Sequence, residues 1–222
     1  MQPGRHRGVD AVISPCLAAS PRFGLDSVAI MDLQPTLIGE TLLLRPLREE
    51  DWEALYRAAS DPGIWEQHPE PTRYQRPVFE GFFRKALESG GALAVVDRRT
   101  GEVIGSSRYY EADPARREVA IGYTFLTRSH WGGSANPEMK RLMLAHIFQW
   151  VDTVWFHVGT ENHRSRRAME KIGGTLSHIG DKDMYGRVSV MAFYRIDRGC
   201  PLPGLNIPRP AGNPVADPAT ER

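Results

Sequence analysis

The chain has 222 residues, of which 41% are hydrophobic and 25% are charged, an ordinary composition for a soluble globular protein. Its formal net charge is +1, which argues against nucleic acid or an anionic membrane as the primary partner, because both select strongly basic surfaces. No apolar run is long enough for a transmembrane helix. Its two cysteines, Cys16 and Cys200, exclude a disulfide framework and a multi-cysteine zinc site, and this usage is typical of a reducing cytoplasm.

Both ends of the chain differ in composition from the middle. Residues 1–35 mix Gly, Pro, Arg and Ser without sustained periodicity, so we expect a disordered leader or an upstream extension, with Met31 as the natural start. The apolar stretch at residues 11–19 is too short, and too broken by Pro15, for a signal peptide. Residues 199–222 are rich in proline and predict a mobile tail. The remaining residues, 36–198, have the length of one domain.

The middle of the chain alternates between strand and helix patterns. In chain order the predicted elements are a strand at residues 41–47, helices at 49–59 and 77–88, strands at 92–96, 103–110 and 118–126, a helix at 137–150, a strand at 154–158 and a helix at 163–172. Two helices followed by a meander of strands are not typical of a doubly wound sheet. The order predicts an α/β (α+β) fold with a mixed, mainly antiparallel central sheet flanked by helices.

A glycine-containing loop joins the strand at residues 118–126 to the next helix. Gly132 and Gly133 permit a tight turn with close backbone approach, while Asn136 is expected to cap the helix and Pro137 to be its first residue. Free N–H groups and the positive end of a helix dipole suit a pyrophosphate. A tight connection with a good cap explains the pattern equally well. The Gly-Lys-Ser/Thr ending of a mononucleotide loop and the G-x-G-x-x-G fingerprint are both absent.

A second strand–turn–helix unit follows at residues 154–172. Asn162 is the expected N-cap of its helix. Ser165 shares a face with Ala168 and Met169, so its hydroxyl is expected to point toward the sheet, although local bonding to the backbone is the structural alternative. Four basic residues on this helix fit a solvated face better than a nucleic-acid surface, given the nearly neutral net charge. They are Arg164, Arg166, Arg167 and Lys171.

Together these stretches resemble the Gcn5-related N-acetyltransferase (GNAT) family, in the branch that contains ribosomal-protein N-terminal acetyltransferases. The resemblance covers about residues 42–195. It is carried by the opening strand Leu42-Leu43-Leu44-Arg45-Pro46-Leu47, the loop Trp131-Gly132-Gly133-Ser134, and the pattern Asn162-x-x-Ser165-x-x-Ala168-Met169-x-x-x-Gly173. The family's loop usually reads Gln/Arg-x-x-Gly-x-Gly/Ala. Here Ser129 replaces the first residue, Gly132 matches, and Ser134 takes the second small position.

The resemblance implies acetyl-CoA as co-substrate, held between two strands that splay apart, and no metal. Its pantetheine arm would pair with backbone near Phe125, Leu126 and Thr127, and Asn162 would bond to the same arm. Its pyrophosphate would bind backbone N–H groups of the loop. These belong to Trp131, Gly132, Gly133, Ser134, Ala135 and Asn136. A zinc site built on His157 and His163 would lack a third ligand.

The implied reaction is direct attack of a neutral primary amine on the thioester, which gives an amide and free CoA. The amine must lose a proton, the oxyanion needs a donor, and the departing thiolate benefits from a proton. By resemblance Ser165 supplies that last proton, and a backbone N–H near Phe125 or Leu126 serves the oxyanion. Glu118 is the predicted base, acting through water. Its structural alternative is an exposed strand-end acid paired with Arg116 or Arg117.

Substrate choice is expected from the segment between the first two helices. Trp65, His68 and Tyr74 are predicted to contact the acceptor, and Glu66 and Glu70 predict that it is positively charged. The acceptor would be a protein N-terminus or a small amine. The alternative function is a module that binds or senses acyl-CoA without transferring the acyl group, and thiol release in the presence of amines separates the two. Resemblance alone would support a homodimer.

Overall fold

A computed structural model describes residues 31–183 and 188–200 of the chain. Within these ranges the strands are β1 Leu37–Ile38, β2 Leu42–Pro46, β3 Ala92–Asp97, β4 Val103–Asp113, β5 Glu118–Leu126, β6 Thr153–Gly159, β7 Thr175–Asp183 and β8 Val188–Asp197. The α-helices are α1 Trp52–Ala59, α2 Arg76–Glu88, α3 Ala135–Ile147 and α4 His163–Lys171. The expectations for residues 1–30 and 201–222 lie outside the described residues.

The described strands form one mixed sheet in the order β1-β2-β3-β4-β5-β6-β8-β7. β5 and β6 run parallel, and every other neighbouring pair is antiparallel. The predicted mixed, mainly antiparallel α/β fold is therefore confirmed. The strand predicted at residues 118–126 coincides with β5, and α2 begins one residue before the helix predicted at 77–88.

Two hydrophobic clusters lie on opposite faces of the sheet. α3 and α4 contribute side chains such as Met139, Met143 and Met169 to one cluster, while α1 and α2 contribute Leu55 and Phe79 to the other. Each of these side chains is almost completely buried, and full burial of one such side chain stabilises the fold by about 1.5–3 kcal/mol. The sheet therefore separates a face covered by α3 and α4 from a face covered by α1 and α2.

The parallel pair of β5 and β6 separates after three residue pairs. The pairing runs from Glu118 opposite Thr153 to Ala120 opposite Trp155. On its other side β5 remains paired with β4 as far as Leu126, through a register shift beside which Tyr123 adopts a φ of 52°. A bulge of this kind bends the strand that carries it. The bend leaves a wedge-shaped gap between the second half of β5 and the end of β6.

The N-terminus of α3 differs from the sequence prediction. The helix begins at Ala135 with Ser134 as its N-cap, so the prediction of Asn136 as the cap and Pro137 as the first helical residue is wrong. Proline is accepted throughout the first helical turn, because the N–H groups of that turn have no partner within the helix. The position of Pro137 therefore did not fix where the helix starts.

The first described residues already contact the domain, although the predicted domain starts at residue 36. Met31 and Leu33 are partly buried against the cluster beneath α3. The carbonyl oxygen of Asp32 lies 2.8 Å from Nε2 of His146 on the same helix. The structured unit therefore includes residues from Met31 onward.

The Glu138 carboxylate connects α3 to β2. It accepts hydrogen bonds from the backbone N–H groups of Thr41 and Leu42 and from the Thr41 hydroxyl. Burial opposes the charged form, but these hydrogen bonds outweigh it and hold the pKa of Glu138 below its ordinary value. The carboxylate thus fixes the helix whose N-terminus follows the glycine loop.

We expect Glu138→Ala to lower the free energy of unfolding by about 2 kcal/mol at pH 7, because two backbone donors lose a charged acceptor. A carboxyl with a lowered pKa stabilises the fold above its unfolded pKa and loses that effect as the pH falls through its folded pKa. The difference in the free energy of unfolding between Glu138→Ala and the wild type should therefore shrink below about pH 4. Urea unfolding at pH 7 and pH 3 measures this, with the exposed Glu88→Ala as control. An equal difference at both pH values would contradict the proposed connection.

Lys140 is a charged residue within the core between α3 and β5. Its side chain is about 2% exposed, and its Nζ donates a hydrogen bond of 2.8 Å to the Thr124 hydroxyl. The ammonium also lies 5.4 Å from the centroid of the Phe156 ring. Burial lowers the pKa of Lys140 to about 7, because the charged form loses its hydration. The protonated form of Lys140 therefore lowers the free energy of unfolding of the protein.

We expect Lys140→Met to raise the free energy of unfolding by about 2 kcal/mol at pH 6, because an apolar chain of similar length removes the buried charge. From pH 7 upward Lys140 is neutral in the folded protein, whereas in the unfolded chain it still binds a proton. The free energy of unfolding of the wild type therefore rises with pH, and the stability gained by Lys140→Met shrinks. Urea unfolding at pH 6 and pH 9 tests this, with the exposed Lys171→Met as control. A variant no more stable than wild type at pH 6 would contradict the account.

Candidate active site

A cleft of about 570 Å³ occupies the gap between β5 and β6. Its walls include the second half of β5, the end of β6, the first residues of α4 and the segment between α1 and α2. The residues that β5 and β6 contribute are Ile121, Gly122, Tyr123, Thr124, Phe125, Leu126, Phe156, His157, Val158 and Gly159. These are the residues beyond the last β5–β6 pair. The cleft is therefore a direct consequence of the separation of the two strands.

Two of the three residues predicted to line a pantetheine channel face this cleft. Phe125 is buried with its ring 5.2 Å from that of Trp65, and the Leu126 carbonyl accepts a hydrogen bond of 2.9 Å from the Trp131 indole. Thr127 is not among the lining residues, since it lies beyond the end of β5, where its hydroxyl is 2.8 Å from Nδ1 of His130. The structure thus brings Phe125 and Leu126 to the cleft and leaves Thr127 beside it.

The glycine loop forms a ridge between two cavities. Trp131, Gly132 and Asn136 line the cleft. The other predicted pyrophosphate residues, Gly133, Ser134 and Ala135, line a neighbouring hollow of about 580 Å³ together with Trp131. Gly132 has a φ of 74°, and a Cβ placed on it would meet no atom within 4 Å. The left-handed backbone at Gly132 favours glycine and leaves open space beside the start of α3.

Positive charge accumulates beside this loop. The Arg164 guanidinium stacks on the Trp131 ring at 4.0 Å from its centroid and donates a hydrogen bond of 2.9 Å to the Ile64 carbonyl. Its position in the first turn of α4 places it on the cleft side of the loop. The N-terminus of α3 adds the positive end of its dipole and N–H groups at Ala135 and Asn136. Together these groups have the charge and the N–H donors that suit an anion such as a phosphate.

The start of α4 forms another part of the cleft wall. The Asn162 side chain accepts a hydrogen bond of 3.1 Å from the backbone N–H of Ser165, which confirms the predicted N-cap. Ser165 is half-buried and lines the cleft together with Ala168 and Met169, on the predicted shared face. A hydroxyl in this position can reach a ligand that lies between β5 and β6.

Two further predicted site residues, Glu118 and Tyr74, lie away from the cleft. Glu118 is the first residue of β5, at the end where the strands are still paired, and its carboxylate is 3.4 Å from Nε of Arg116. This is the ion pair considered as its structural alternative. Tyr74 packs against the α1–α2 cluster, and its carbonyl accepts a hydrogen bond of 3.3 Å from the Tyr56 hydroxyl. Neither is among the residues that line the cleft.

The other two predicted acceptor-binding residues, Trp65 and His68, do line the cleft. Trp65 is buried and donates its indole hydrogen to the Ala59 carbonyl at 2.8 Å. Burial, with a contribution from nearby Arg73, lowers the pKa of His68 to about 3. His68 is therefore a neutral imidazole at physiological pH.

His157 also faces the cleft as a neutral ring. The Tyr110 hydroxyl lies 2.7 Å from its Nδ1, and burial lowers its pKa to about 3. Within the described ranges no group of three or more His, Cys, Asp or Glu side chains is placed to hold a metal ion. No helix in the same ranges is long and apolar enough to cross a membrane.

The charge around the cleft is opposite to the sequence expectation. Glu66 is exposed and is not a lining residue, and Glu70 accepts a hydrogen bond from the Thr72 hydroxyl at 2.5 Å. The basic lining residues in the described part of the chain are Arg73, Lys85, Arg108, Lys140 and Arg164, whereas the acidic one is Glu70. The structure therefore does not support a cleft that selects a positively charged substrate.

Two lining residues, Arg108 and Lys140, were not predicted from the sequence. They lie on β4 and α3 and reach the cleft only in the folded protein. A signal for Arg108 was present, since a charge inside a strand flanked by Ser107 and Tyr109 is unusual in the middle of a sheet. The sequence pattern of α3 gave no such indication for Lys140. This residue directly follows the apolar Met139, and apolar and polar residues are not clearly separated on the faces of this helix.

Comparison with known proteins identifies the family. A model of the acetyltransferase (GNAT) domain matches residues 41–175. A GCN5-related N-acetyltransferase from Brucella melitensis has a TM-score of 0.64 at 24% identity, over 74% of this chain and 79% of that one. RimJ of Mycobacterium smegmatis, solved with CoA-disulfide, has a TM-score of 0.55 at 20% identity, over 71% of this chain and 82% of that one. No curated protein matches the chain.

A further solved structure is the microcin C7 self-immunity acetyltransferase MccE in complex with acetyl-CoA and AMP. Its TM-score is 0.62 at 14% identity, over 75% of this chain and 98% of that one. At these identities the structural similarity establishes the fold, and the domain match, which covers more than half of the chain, establishes the family. The chain belongs to the GNAT family and is an acetyl-CoA-dependent N-acetyltransferase.

Proposed function

We propose that this acetyltransferase binds acetyl-CoA in the cleft between β5 and β6 and transfers the acetyl group to a primary amine by direct attack. The observation that carries the proposal is the separation of these strands after Ala120 and Trp155, with the glycine loop at one side of the gap and Ser165 at the other. The sequence resemblance supports the branch of ribosomal-protein N-terminal acetyltransferases. A cytoplasmic location and a homodimer stay predictions.

The donor site uses the strand edge and the loop. Beyond Ala120 the edge of β5 is not paired with β6, so a pantetheine amide can pair with the backbone of this edge near Phe125 and Leu126 as a strand would. The pyrophosphate lies against the loop at Gly132, near the start of α3 and the Arg164 guanidinium. Asn162, whose Oδ1 already caps α4, offers its amide hydrogens to the same arm.

The chemistry needs no covalent enzyme intermediate. The amine nitrogen attacks the thioester carbon, a C–N bond forms, and a backbone N–H of β5 near Phe125 stabilises the oxyanion. The C–S bond then breaks, the Ser165 hydroxyl donates a proton to the departing thiolate, and the proton that the amine releases to water returns to the Ser165 oxygen. The products are the N-acetylated amine and free CoA.

Glu118 is not proposed as the base that accepts the proton of the attacking amine, because its carboxylate lies at the paired end of β5 and forms an ion pair with Arg116. The neutral rings of His68 and His157 have pKa values of about 3, so they are weak proton acceptors at neutral pH. We propose that the amine enters in its unprotonated form and passes its remaining excess proton to water in the cleft.

The extent of the cleft supports acyl transfer over mere acyl-CoA binding. The cleft extends from the strands to the segment between α1 and α2, which contributes Trp65 and His68 to its lining. A module that only senses acyl-CoA has no need of this extension, whereas a transferase must admit an acceptor beside the thioester. Release of free thiol that depends on an added amine would exclude the binding module.

We expect Ser165→Ala to lower kcat by about 10- to 100-fold and to change the KM for acetyl-CoA by less than about 2-fold, because the hydroxyl acts on the leaving group. The variant keeps the N-cap of α4, since Asn162 accepts from the backbone of Ser165 and not from its side chain. Thiol release with saturating amine gives both constants. The exposed Ser177→Ala is the matched control. An unchanged kcat would remove Ser165 from the mechanism.

A further inference from the structure

The amine of Lys140 lies at the gap between β5 and β6. Its Nζ donates a hydrogen bond of 2.8 Å to the Thr124 hydroxyl on β5 and is 5.4 Å from the centroid of the Phe156 ring on β6. Thr124 and Phe156 both come after the last β5–β6 pair, and all three residues line the cleft. One ionisable group therefore contacts both strands where they have separated.

Ser165 reaches the same cleft from the other helix on this face of the sheet. α3 and α4 cover the same face, since Met139 and Met143 of α3 and Met169 of α4 belong to one hydrophobic cluster. Ser165 lies in the first turn of α4 and lines the cleft, as Lys140 does. The α3–α4 face of the sheet therefore contributes both an amine and a hydroxyl to the cleft.

The surroundings of Lys140 suit an amine that changes its protonation state. Its contacts in the described part of the chain, a hydroxyl and an aromatic ring, are both electrically neutral. Burial alone lowers its pKa to about 7. A group with such a pKa both releases and accepts a proton near neutral pH, as a general acid or base must do.

The proposed leaving-group step requires a proton source on this side of the cleft. The hydroxyl of a serine is a much weaker acid than a thiol, whose pKa is about 8.5. Transfer of the Ser165 proton to the departing sulfur is therefore unfavourable unless the Ser165 oxygen receives another proton in return. The Lys140 ammonium, with a pKa of about 7, is a stronger acid than the thiol and can supply it.

We infer that Lys140 is the proton donor that restores the Ser165 hydroxyl in the leaving-group step. The inference rests on the proposed function, because it assumes that the sulfur of acetyl-CoA lies beside Ser165. As the C–S bond breaks, the O–H bond of Ser165 breaks and an S–H bond forms. An N–H bond of the Lys140 ammonium then breaks, and its proton passes through water in the cleft to the Ser165 oxygen. The neutral Lys140 amine takes up the proton that the acceptor amine has released to water, which restores the starting enzyme.

The first test measures thiol release at pH 7 with saturating amine by Lys140→Met and by the exposed Lys171→Met. We expect Lys140→Met to lower kcat at least 10-fold and to change the KM for acetyl-CoA by less than about 3-fold, because the lost group acts on the leaving sulfur. Lys171→Met should behave as wild type. A smaller loss of kcat in the Lys140 variant would overturn the inference, and circular dichroism confirms that each variant folds.

Stability separates this role from a structural one. If Lys140 only held β5 and β6 in place, its replacement would lower kcat and the free energy of unfolding together. We expect Lys140→Met to lower kcat but to raise the free energy of unfolding at pH 6, because the variant removes a buried charge. Urea unfolding measures this for the same protein samples. A loss of kcat accompanied by a lower free energy of unfolding would overturn the inference.

Lys140→Arg separates proton transfer from the effect of a positive charge. A guanidinium keeps the charge but does not release its proton at neutral pH. We expect Lys140→Arg to lower kcat as much as Lys140→Met does. A folded Lys140→Arg variant with a kcat close to that of the wild type would mean that the charge alone is sufficient, and it would overturn the inference.

A double variant tests whether Lys140 acts through Ser165. We expect Ser165→Ala/Lys140→Met to lower kcat no further than Ser165→Ala alone, because no hydroxyl is left to receive the proton of the lysine. Losses that multiply in the double variant would overturn the inference. The proposed function is judged on the wild type. Absence of amine-dependent thiol release by the wild type would overturn that function, whereas wild-type release by Lys140→Met would overturn this inference alone.

Discussion

The site depends on one constraint, which is that β5 pairs with β4 along its whole length but with β6 over three residues only. The bulge at Tyr123 directs β5 away from its parallel neighbour, so the backbone beyond Ala120 faces a gap instead of a strand. An exposed strand edge is normally a liability for a folded protein. Here the edge lies inside a cleft, where an extended ligand with amide groups can pair with it. The glycine loop, the start of α4 and the segment between α1 and α2 are all arranged around this opening.

The same opening explains why costly residues are found in the middle of the molecule. Lys140 and Arg108 are each about 2% exposed, one on each face of the sheet, and taking a charged side chain out of water is costly for the fold. Proteins retain such residues where binding or catalysis requires them, and the stability is supplied elsewhere. In this chain the apolar clusters on both faces of the sheet supply it. The charges on α3 and β4 both line the cleft in which we propose that the substrates bind.

Local sequence patterns predicted the strands and helices well. They predicted less well the features that depend on contacts between residues distant in the chain. The strand predicted at residues 118–126 has the same ends as β5, and Asn162 was correctly placed as the cap of α4. The start of α3 was missed because proline is accepted at several positions of a first turn. The charge of the cleft was misjudged because Glu66 and Glu70 are neighbours in sequence, whereas Arg108 and Lys140 reach the cleft from other elements. No local pattern reveals which charges the sheet will bring together.

The most direct test of the account is a thermal melt with acetyl-CoA at about 100 times its Kd, which should add about 2.7 kcal/mol and raise the Tm by about 5–10 °C. Gly132→Val is measured beside Gly101→Val, because both glycines have a φ of 74° and open space around a new Cβ. The account predicts that the shift disappears in Gly132→Val, where the side chain occupies the phosphate position, and persists in Gly101→Val. No shift in the folded wild type, or an equal shift in both variants, would contradict it.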